Sequence, residues 1–280
     1  MGFLPRPIDL INKSVGVAGA KPLRGIAYGG NPRQRLDIFS PPAARDLPVL
    51  VFFYGGSWQS GDRADYDFIA GRFAARGFVV VIPDYRLYPE VRYPGFVEDC
   101  AAAVEWVTTK IAAYGGDPKS VFLLGHSAGA YNAIMTAMLP EAPEIAGIIG
   151  LAGPYDFLPL KDPVIKTIFA EASDIRDTQP ITHVHGDLPP MFLATGGADR
   201  TVLPRNTTAL AARIRRVGGV VETKIYPKLA HIGILLAILP YLAWRAPVFE
   251  DILAFIAAAR AGEYALPRSE FTASMVRRSL

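Results

Sequence analysis

Ser127 lies between two glycines in "LLGHSAGAY" (residues 123–131), behind an apolar run and ahead of a stretch of small residues. A serine on a sharp strand-to-helix turn lifts its hydroxyl above a sheet, and such a backbone leaves no room for large neighbours. The free amides at the start of the following helix favour negative charge close by. Two roles fit the residue: a nucleophile toward a carbonyl carbon, or a side chain that caps the helix. The first role needs a base, because a free hydroxyl is a poor nucleophile.

The chain has four histidines, so the base can be sought by elimination. His126 adjoins the serine and is expected to point to the opposite side of the turn. His183 and His185, in "ITHVHGDLPP", precede the plausible acid, against the order serine, acid, histidine. His231, in "PKLAHIGIL" after the last apolar run, satisfies that order. The acid should follow a strand between positions 127 and 231. Asp199, in "MFLATGGADRTV", stands just past an apolar run and two glycines, where a carboxylate can accept from the imidazole and fix its tautomer. Asp174, Asp177 and Asp187 lie in the polar segment before that run, and Glu222 lies inside the next one. The competing role for Asp199 is a turn aspartate beside Arg200. Attack on a carbonyl also needs aimed donors for the oxyanion. Gly55 and Gly56 of "FYGGSW" let backbone N–H groups approach closely, and the N–H of Ala128 is the third candidate.

These residues must be held by something, and the chain supplies a β-then-α alternation. The runs at 48–56, 77–85, 120–126, 144–153, 190–197 and 220–227 are continuously apolar, as strands covered on both faces are. Helical spacing recurs at about 65–76, 95–113, 128–138, 204–217 and 247–260. The expectation is an α/β fold with a mostly parallel, doubly wound sheet, whose site lies beyond the carboxyl ends of the strands.

At 280 residues, 51% hydrophobic and 20% charged, the chain has the composition of a packed enzyme rather than a disordered or fibrous protein. The expectation is one domain over 1–280, with a small lid inserted at about 154–189. A net charge of +3, with basic residues scattered apart from Arg277 and Arg278 in a solvated tail, argues against nucleic-acid binding. The single cysteine, Cys100, rules out an internal disulfide and lies in a helical pattern that suits a buried thiol. The first 20 residues lack a continuous apolar core of the secretory kind. The longest apolar stretch, "IGILLAILPYLAW" (232–244), is too short to span a bilayer and is interrupted by Pro240. Surface or lid packing is expected there rather than membrane contact, and a cytoplasmic location follows. The sequence leaves a homo-oligomer open.

The chain resembles α/β-hydrolase esterases of the carboxylesterase and hormone-sensitive-lipase-like branch, with kynurenine formamidases as near relatives. The likeness covers residues 25 to 260 and rests on "GIAYGGNPRQRLDIFSP", "YGGSW", "PDYRL", "YGGDPKSVFLLGHSAG", "GGADRTV" and "AHIG". It implies the α/β-hydrolase fold, a triad of Ser127, Asp199 and His231, and oxyanion donors at Gly55, Gly56 and Ala128. No cofactor or metal is implied. One departure stands out: the family usually has histidine where this chain has Tyr54, which bears on how the oxyanion loop is braced. "PDYRL" is expected to be an ion-pairing strand end, and "YGGDP" a helix-to-strand turn.

The expected reaction is hydrolysis of small carboxylic esters, with short acyl chains or small aromatic groups, through an acyl-enzyme. Trp58, Tyr155 and Phe157 follow strand ends and are candidates to line the acyl pocket; the competing role is ordinary core packing. Two alternatives differ in chemistry. One is an arylformamidase using the same triad. The other is a ligand-binding homologue without turnover, although such proteins tend to lose a triad member.

Overall fold

The computed structural model describes residues 7–15, 19 and 22–264. Arg277 and Arg278 fall outside the described residues. Eight strands form one sheet: β1 (Leu23–Ala27), β2 (Arg35–Phe39), β3 (Leu47–Phe53), β4 (Val79–Pro83), β5 (Gly116–His126), β6 (Gly147–Leu151), β7 (Met191–Gly196) and β8 (Val221–Tyr226). Their order across the sheet is β1-β2-β4-β3-β5-β6-β7-β8. The pairs β1–β2 and β2–β4 are antiparallel and the remaining five are parallel.

The helices are α1 (Pro7–Val15), α2 (Asp67–Ala74), α3 (Gly95–Lys110), α4 (Ala128–Ala137), α5 (Pro163–Ile168), α6 (Arg205–Arg216), α7 (His231–Leu236) and α8 (Val248–Arg260). The six parallel strands and five long helices fall where the apolar runs and helical spacing place them. The central strands explain why. Val49, Leu50, Val51, Phe52 and Phe53 on β3 are fully buried on both faces, as are Val121, Phe122, Leu123 and Leu124 on β5. Burying each such side chain contributes about 1.5–3 kcal/mol, so these two strands anchor the sheet. One apolar cluster runs from Leu36 on β2 to Ile256 on α8.

The antiparallel β1 and β2 are additions to the expected series. They are short and interrupted by charge, and the charges are satisfied across the strands. Arg24 Nη1 donates to Asp37 Oδ2 at 2.7 Å, and Gly25 N donates to Asp37 Oδ1 at 2.8 Å.

Segment 154–189 connects β6 to β7 and holds α5 and two short 3-10 turns. It is fastened to the body at several points. Tyr131 Oη donates to the Thr178 carbonyl at 2.8 Å, Tyr93 N donates to the Ile168 carbonyl at 2.9 Å, and Phe169 packs edge-on against Trp58 at 5.0 Å. The apolar stretch 232–244 divides into α7 and a 3-10 turn at Ala243–Arg245. Its Ile234, Leu235, Ile238 and Leu239 are buried, while Ile232, Tyr241 and Trp244 are exposed. Among the described residues no helix is long and apolar enough to cross a membrane.

Candidate active site

Strand β5 ends at His126, α4 begins at Ala128, and Ser127 makes the corner with φ 56° and ψ −124°. Positive φ is uncommon for a residue with a Cβ, and a strained corner of this kind persists only where its surroundings over-determine it. Here Ser127 N donates to the Leu151 carbonyl at 2.9 Å, tying the corner to the end of β6. A Cβ on Gly129 would lie 2.0 Å from the Phe53 carbonyl oxygen, so only glycine lets α4 rest on the end of β3.

The serine does not cap α4 through its side chain. Its Oγ instead lies 2.9 Å from Nε2 of His231, and Nδ1 of His231 lies 2.7 Å from Oδ2 of Asp199. His231 is the first residue of α7, and Asp199 follows β7. The structure therefore brings together three side chains drawn from three strand ends. Both oxygens of Asp199 are engaged: Oδ1 accepts from Thr201 N and Val202 N, each at 2.9 Å, and makes the turn, while Oδ2 faces the imidazole. Arranged this way, the carboxylate can hold the Nδ1–H tautomer and leave Nε2 free to take a proton from Oγ.

His126 requires a correction. It does not point away from the site. Its Nε2 lies 3.0 Å from the His231 carbonyl oxygen, and the two rings are 4.9 Å apart, centroid to centroid. The apolar surroundings of β5 desolvate it and His231 opposes a second charge, so its pKa falls to about 4. Neutral His126 thus donates through Nε2–H to the backbone of His231. The other two histidines lie elsewhere: His183 Nε2 contacts the Asp177 carbonyl, and His185 lines a separate groove with Asp187.

Gly55 and Gly56 follow β3 and face the corner. A Cβ on Gly55 would lie 2.9 Å from Ser127 Cβ, which measures how closely this backbone approaches the serine corner. Gly56 has φ 128°. Ala128 opens α4, so its N–H has no partner one turn earlier in the helix.

The loop begins at Tyr54, which is fully buried. Its hydroxyl donates to Asp84 Oδ1 at 2.6 Å and accepts from Arg33 Nη2 at 2.9 Å. Burial, then the neighbouring Tyr85 and Asp84, push this phenol well above its ordinary value, so it stays protonated. Asp84 also accepts from Arg63, whose Nε reaches Asp37 Oδ1 at 2.8 Å. "PDYRL" is thus an ion-pairing strand end, continued by Arg86, which donates from Nη2 to Asp99 Oδ1 at 2.7 Å. The "YGGDP" turn has Gly115 in the left-handed region at φ 84°, immediately before β5.

A cavity of about 560 Å³ opens at Ser127. Its apolar walls are Ile8 of α1, Tyr66, Phe68 of α2, and Ile232, Leu235 and Leu236 of α7. Trp58, Tyr155 and Phe157 do not line it, which corrects their assignment as substrate-binding residues. Trp58 is 3% exposed and donates from Nε1 to Asn132 Oδ1 at 2.9 Å, within a cluster that includes Phe96, Tyr131 and Phe169. Tyr155 is fully buried beneath Asn206, and Phe157 borders a different groove with Leu158 and Leu203. Trp58 packs in the core here because Phe157 and Phe169 of segment 154–189 lie against it. The cover on the cavity side comes from α1, fastened by Asn12: Nδ2 donates to the Ala64 carbonyl and Oδ1 accepts from Phe68 N, both at 3.0 Å. Sequence reading missed this helix, although Ile8, Ile11 and Val15 stand at helical spacing in "PIDLINKSV".

An eight-stranded sheet with a strained serine corner, and a histidine and an aspartate on later strand ends, defines an α/β-hydrolase. The BD-FAE family model matches residues 36–214, well over half of the chain, and the protein belongs to that family. A probable isoprenylcysteine alpha-carbonyl methylesterase of Arabidopsis thaliana is 28% identical over 264 residues, covering 83% of this chain and 55% of the relative. The esterase LipC of Mycobacterium tuberculosis is 28% identical, covering 69% of this chain and 55% of LipC. The chain thus spans little more than half the length of these curated relatives. Among solved structures, the propionate-bound esterase Est2 of Thermogutta terrifontis is similar at 26% identity and a TM-score of 0.70, with 90% of this chain and 97% of Est2 covered. The butyrate-bound form is similar at 25% identity with the same TM-score of 0.70. A carbohydrate esterase from gut microbiota, 16% identical with a TM-score of 0.74 over 88% of this chain and 98% of that one, shares the fold.

Proposed function

We propose that this protein is a serine carboxylesterase acting on small carboxylic esters through an acyl-enzyme. The observation that carries the reading is the unbroken line from Ser127 Oγ to His231 Nε2 at 2.9 Å and from His231 Nδ1 to Asp199 Oδ2 at 2.7 Å. In this mechanism Oγ attacks the ester carbonyl carbon while Nε2 takes the hydroxyl proton. The carbonyl oxygen becomes an oxyanion held by the N–H groups of Gly55, Gly56 and Ala128, donors that need no reorganisation as charge develops. Collapse of the intermediate expels the alcohol, which receives the proton from Nε2. Water then attacks the acyl-enzyme with His231 again as base, releasing the carboxylic acid and restoring Ser127.

Three findings support small esters as the substrate class. The curated relatives named above are esterases. Est2 has been solved with propionate and with butyrate bound. The cavity of about 560 Å³ is lined by residues of α1 and α7, and its size suits a short acyl chain or a small aromatic group better than a triglyceride. The test is hydrolysis of p-nitrophenyl butyrate, compared with N-formylkynurenine and long-chain triglyceride. Ester turnover that dominates both and drops about a million-fold in Ser127→Ala is the expected result. Turnover that survives this substitution overturns the reading; a preference for the formamide replaces the ester by an amide substrate.

A further inference from the structure

The loop that presents Gly55 and Gly56 is held at both ends by one guanidinium. Arg33 donates from Nη2 to the Tyr54 hydroxyl, where the loop starts, and to the Gly61 carbonyl, where it ends. Its Nε donates to the Tyr85 carbonyl at 2.7 Å, and Tyr85 Oη donates back to the Tyr54 carbonyl at 2.8 Å. The Tyr54 ring is stacked between Tyr66, at 5.3 Å and 4°, and Tyr85, at 5.0 Å and 23°. Gly61 lies across the same ring, since a Cβ there would stand 2.5 Å from it. Between these ends the loop folds on itself, with Gln59 N and Ser60 N both donating to the Gly56 carbonyl at 3.0 and 3.2 Å. Asp84 completes the brace by accepting from the Tyr54 hydroxyl on Oδ1, the same oxygen that accepts from Arg63 N.

We propose that Tyr54 is a positioning residue for the oxyanion donors: its hydroxyl, clamped between Arg33 and Asp84, sets the direction in which the Gly55 and Gly56 amides point. The proposal rests on the esterase reading. It assigns Tyr54 no contact with substrate. The ring alone fills the space between Tyr66 and Tyr85, whereas the hydroxyl links the loop start to the charge that also holds the loop end. Removing that link leaves the stack in place and frees the loop to shift by fractions of an ångström. Displacements of that size matter for groups aimed at a transition state and hardly matter for ground-state binding.

Tyr54→Phe tests this directly. Expected is a fall in kcat of about tenfold for p-nitrophenyl butyrate, smaller than the roughly hundredfold loss of a whole oxyanion donor, with KM within about twofold. Inhibition by an aryl trifluoromethyl ketone should weaken by the same factor as kcat. Ser127 adds to that ketone, forming an Oγ–C bond and an oxyanion, while His231 takes the proton. Arg33→Met should give a similar loss, and the double variant no more than the larger single effect. Tyr131→Phe is the structural control. It removes another buried tyrosine hydroxyl, bonded to the Thr178 carbonyl and away from this loop, so stability should fall while kcat and ketone affinity hold. All variants are compared per folded molecule, using thermal unfolding to set a temperature at which each is native; a Tyr54→Phe that does not fold passes the test to Arg33→Met. Unchanged kcat and ketone affinity in the folded variant overturn the proposal. Loss of the esterase reading itself would show separately, as activity that persists in Ser127→Ala.

Discussion

Between β1 and β4 the protein buries carboxylates against arginines: Asp37 meets Arg24 and Arg63, and Asp84 meets Arg63 and the Tyr54 hydroxyl. From β5 onward, among the described residues, Asp199 is the one buried carboxylate, and it meets two backbone amides and an imidazole. The strands of that second half are held by apolar side chains, Phe122 and Phe192 among them, and polarity gathers at their carboxyl ends. The two halves thus hold their parts of the site by different means. Charges locked in low dielectric resist displacement, which suits donors that must be still when an oxyanion forms. A single carboxylate with one titratable neighbour leaves a proton free to move, which suits a relay. If this division is right, losing a side chain of the Ser127–His231–Asp199 line removes most turnover and spares stability, whereas breaking the charged brace costs stability first and turnover by a much smaller factor.

The largest expected effect is on the relay. Asp199→Asn keeps the size of the side chain but no longer stabilises the imidazolium, and kcat should fall about ten-thousand-fold. The urea midpoint should barely move, because an amide oxygen can still accept from Thr201 N and Val202 N. A large stability loss in this variant would erase the distinction.

Next comes Asp84→Ala, which strands Arg63 and Arg33 without their shared carboxylate. Breaking a buried pair by removing one partner costs about 3–5 kcal/mol, and the partial exposure of Arg63 argues for the lower end. Urea unfolding followed by circular dichroism measures it, and a change under 1 kcal/mol would contradict the brace.

The smallest expected effect concerns His126. Its folded pKa of about 4 lies below the ordinary 6.5, so the unfolded chain binds more protons between those values. Stability from this group is fully present above pH 6.5 and is lost as pH falls toward 4, by about 3 kcal/mol over the interval. His126→Gln keeps a donor for the His231 carbonyl and removes the titration. Its stability should therefore decline less than the parent's between pH 7 and 4.5. Parallel declines in the two proteins would show that His126 is not buried neutral.

Much of this division could be read from the chain. Continuous apolar runs mark strands covered on both faces, and only one histidine follows both the serine and the aspartate. What escaped reading has physical reasons. β1 and β2 are short and carry Arg24, Arg35 and Asp37, charges that argue against a strand until their partners are known. His126 is expected on the opposite side of the turn because it adjoins the serine, but adjacency does not fix which way a side chain leaves a strained corner, and the ring lies 4.9 Å from that of His231. Trp58, Tyr155 and Phe157 follow strand ends, a placement that suits a pocket or a core alike, and none of them lines the cavity at Ser127. The cavity is walled by ordinary aliphatics of α1 and α7, and which apolar face stays uncovered depends on contacts distant in sequence.

His231 opens the same short helix whose Ile232, Leu235 and Leu236 line the cavity. Any reshaping of that wall therefore also bears on the position of the His231 imidazole. Ile8 of α1 lines the same cavity, and α1 is pinned through Asn12 to Ala64 and Phe68. Changes around Ile8 can therefore alter the cavity without moving Ser127, Asp199 or His231, which makes the first helix the side on which this scaffold is free to diversify.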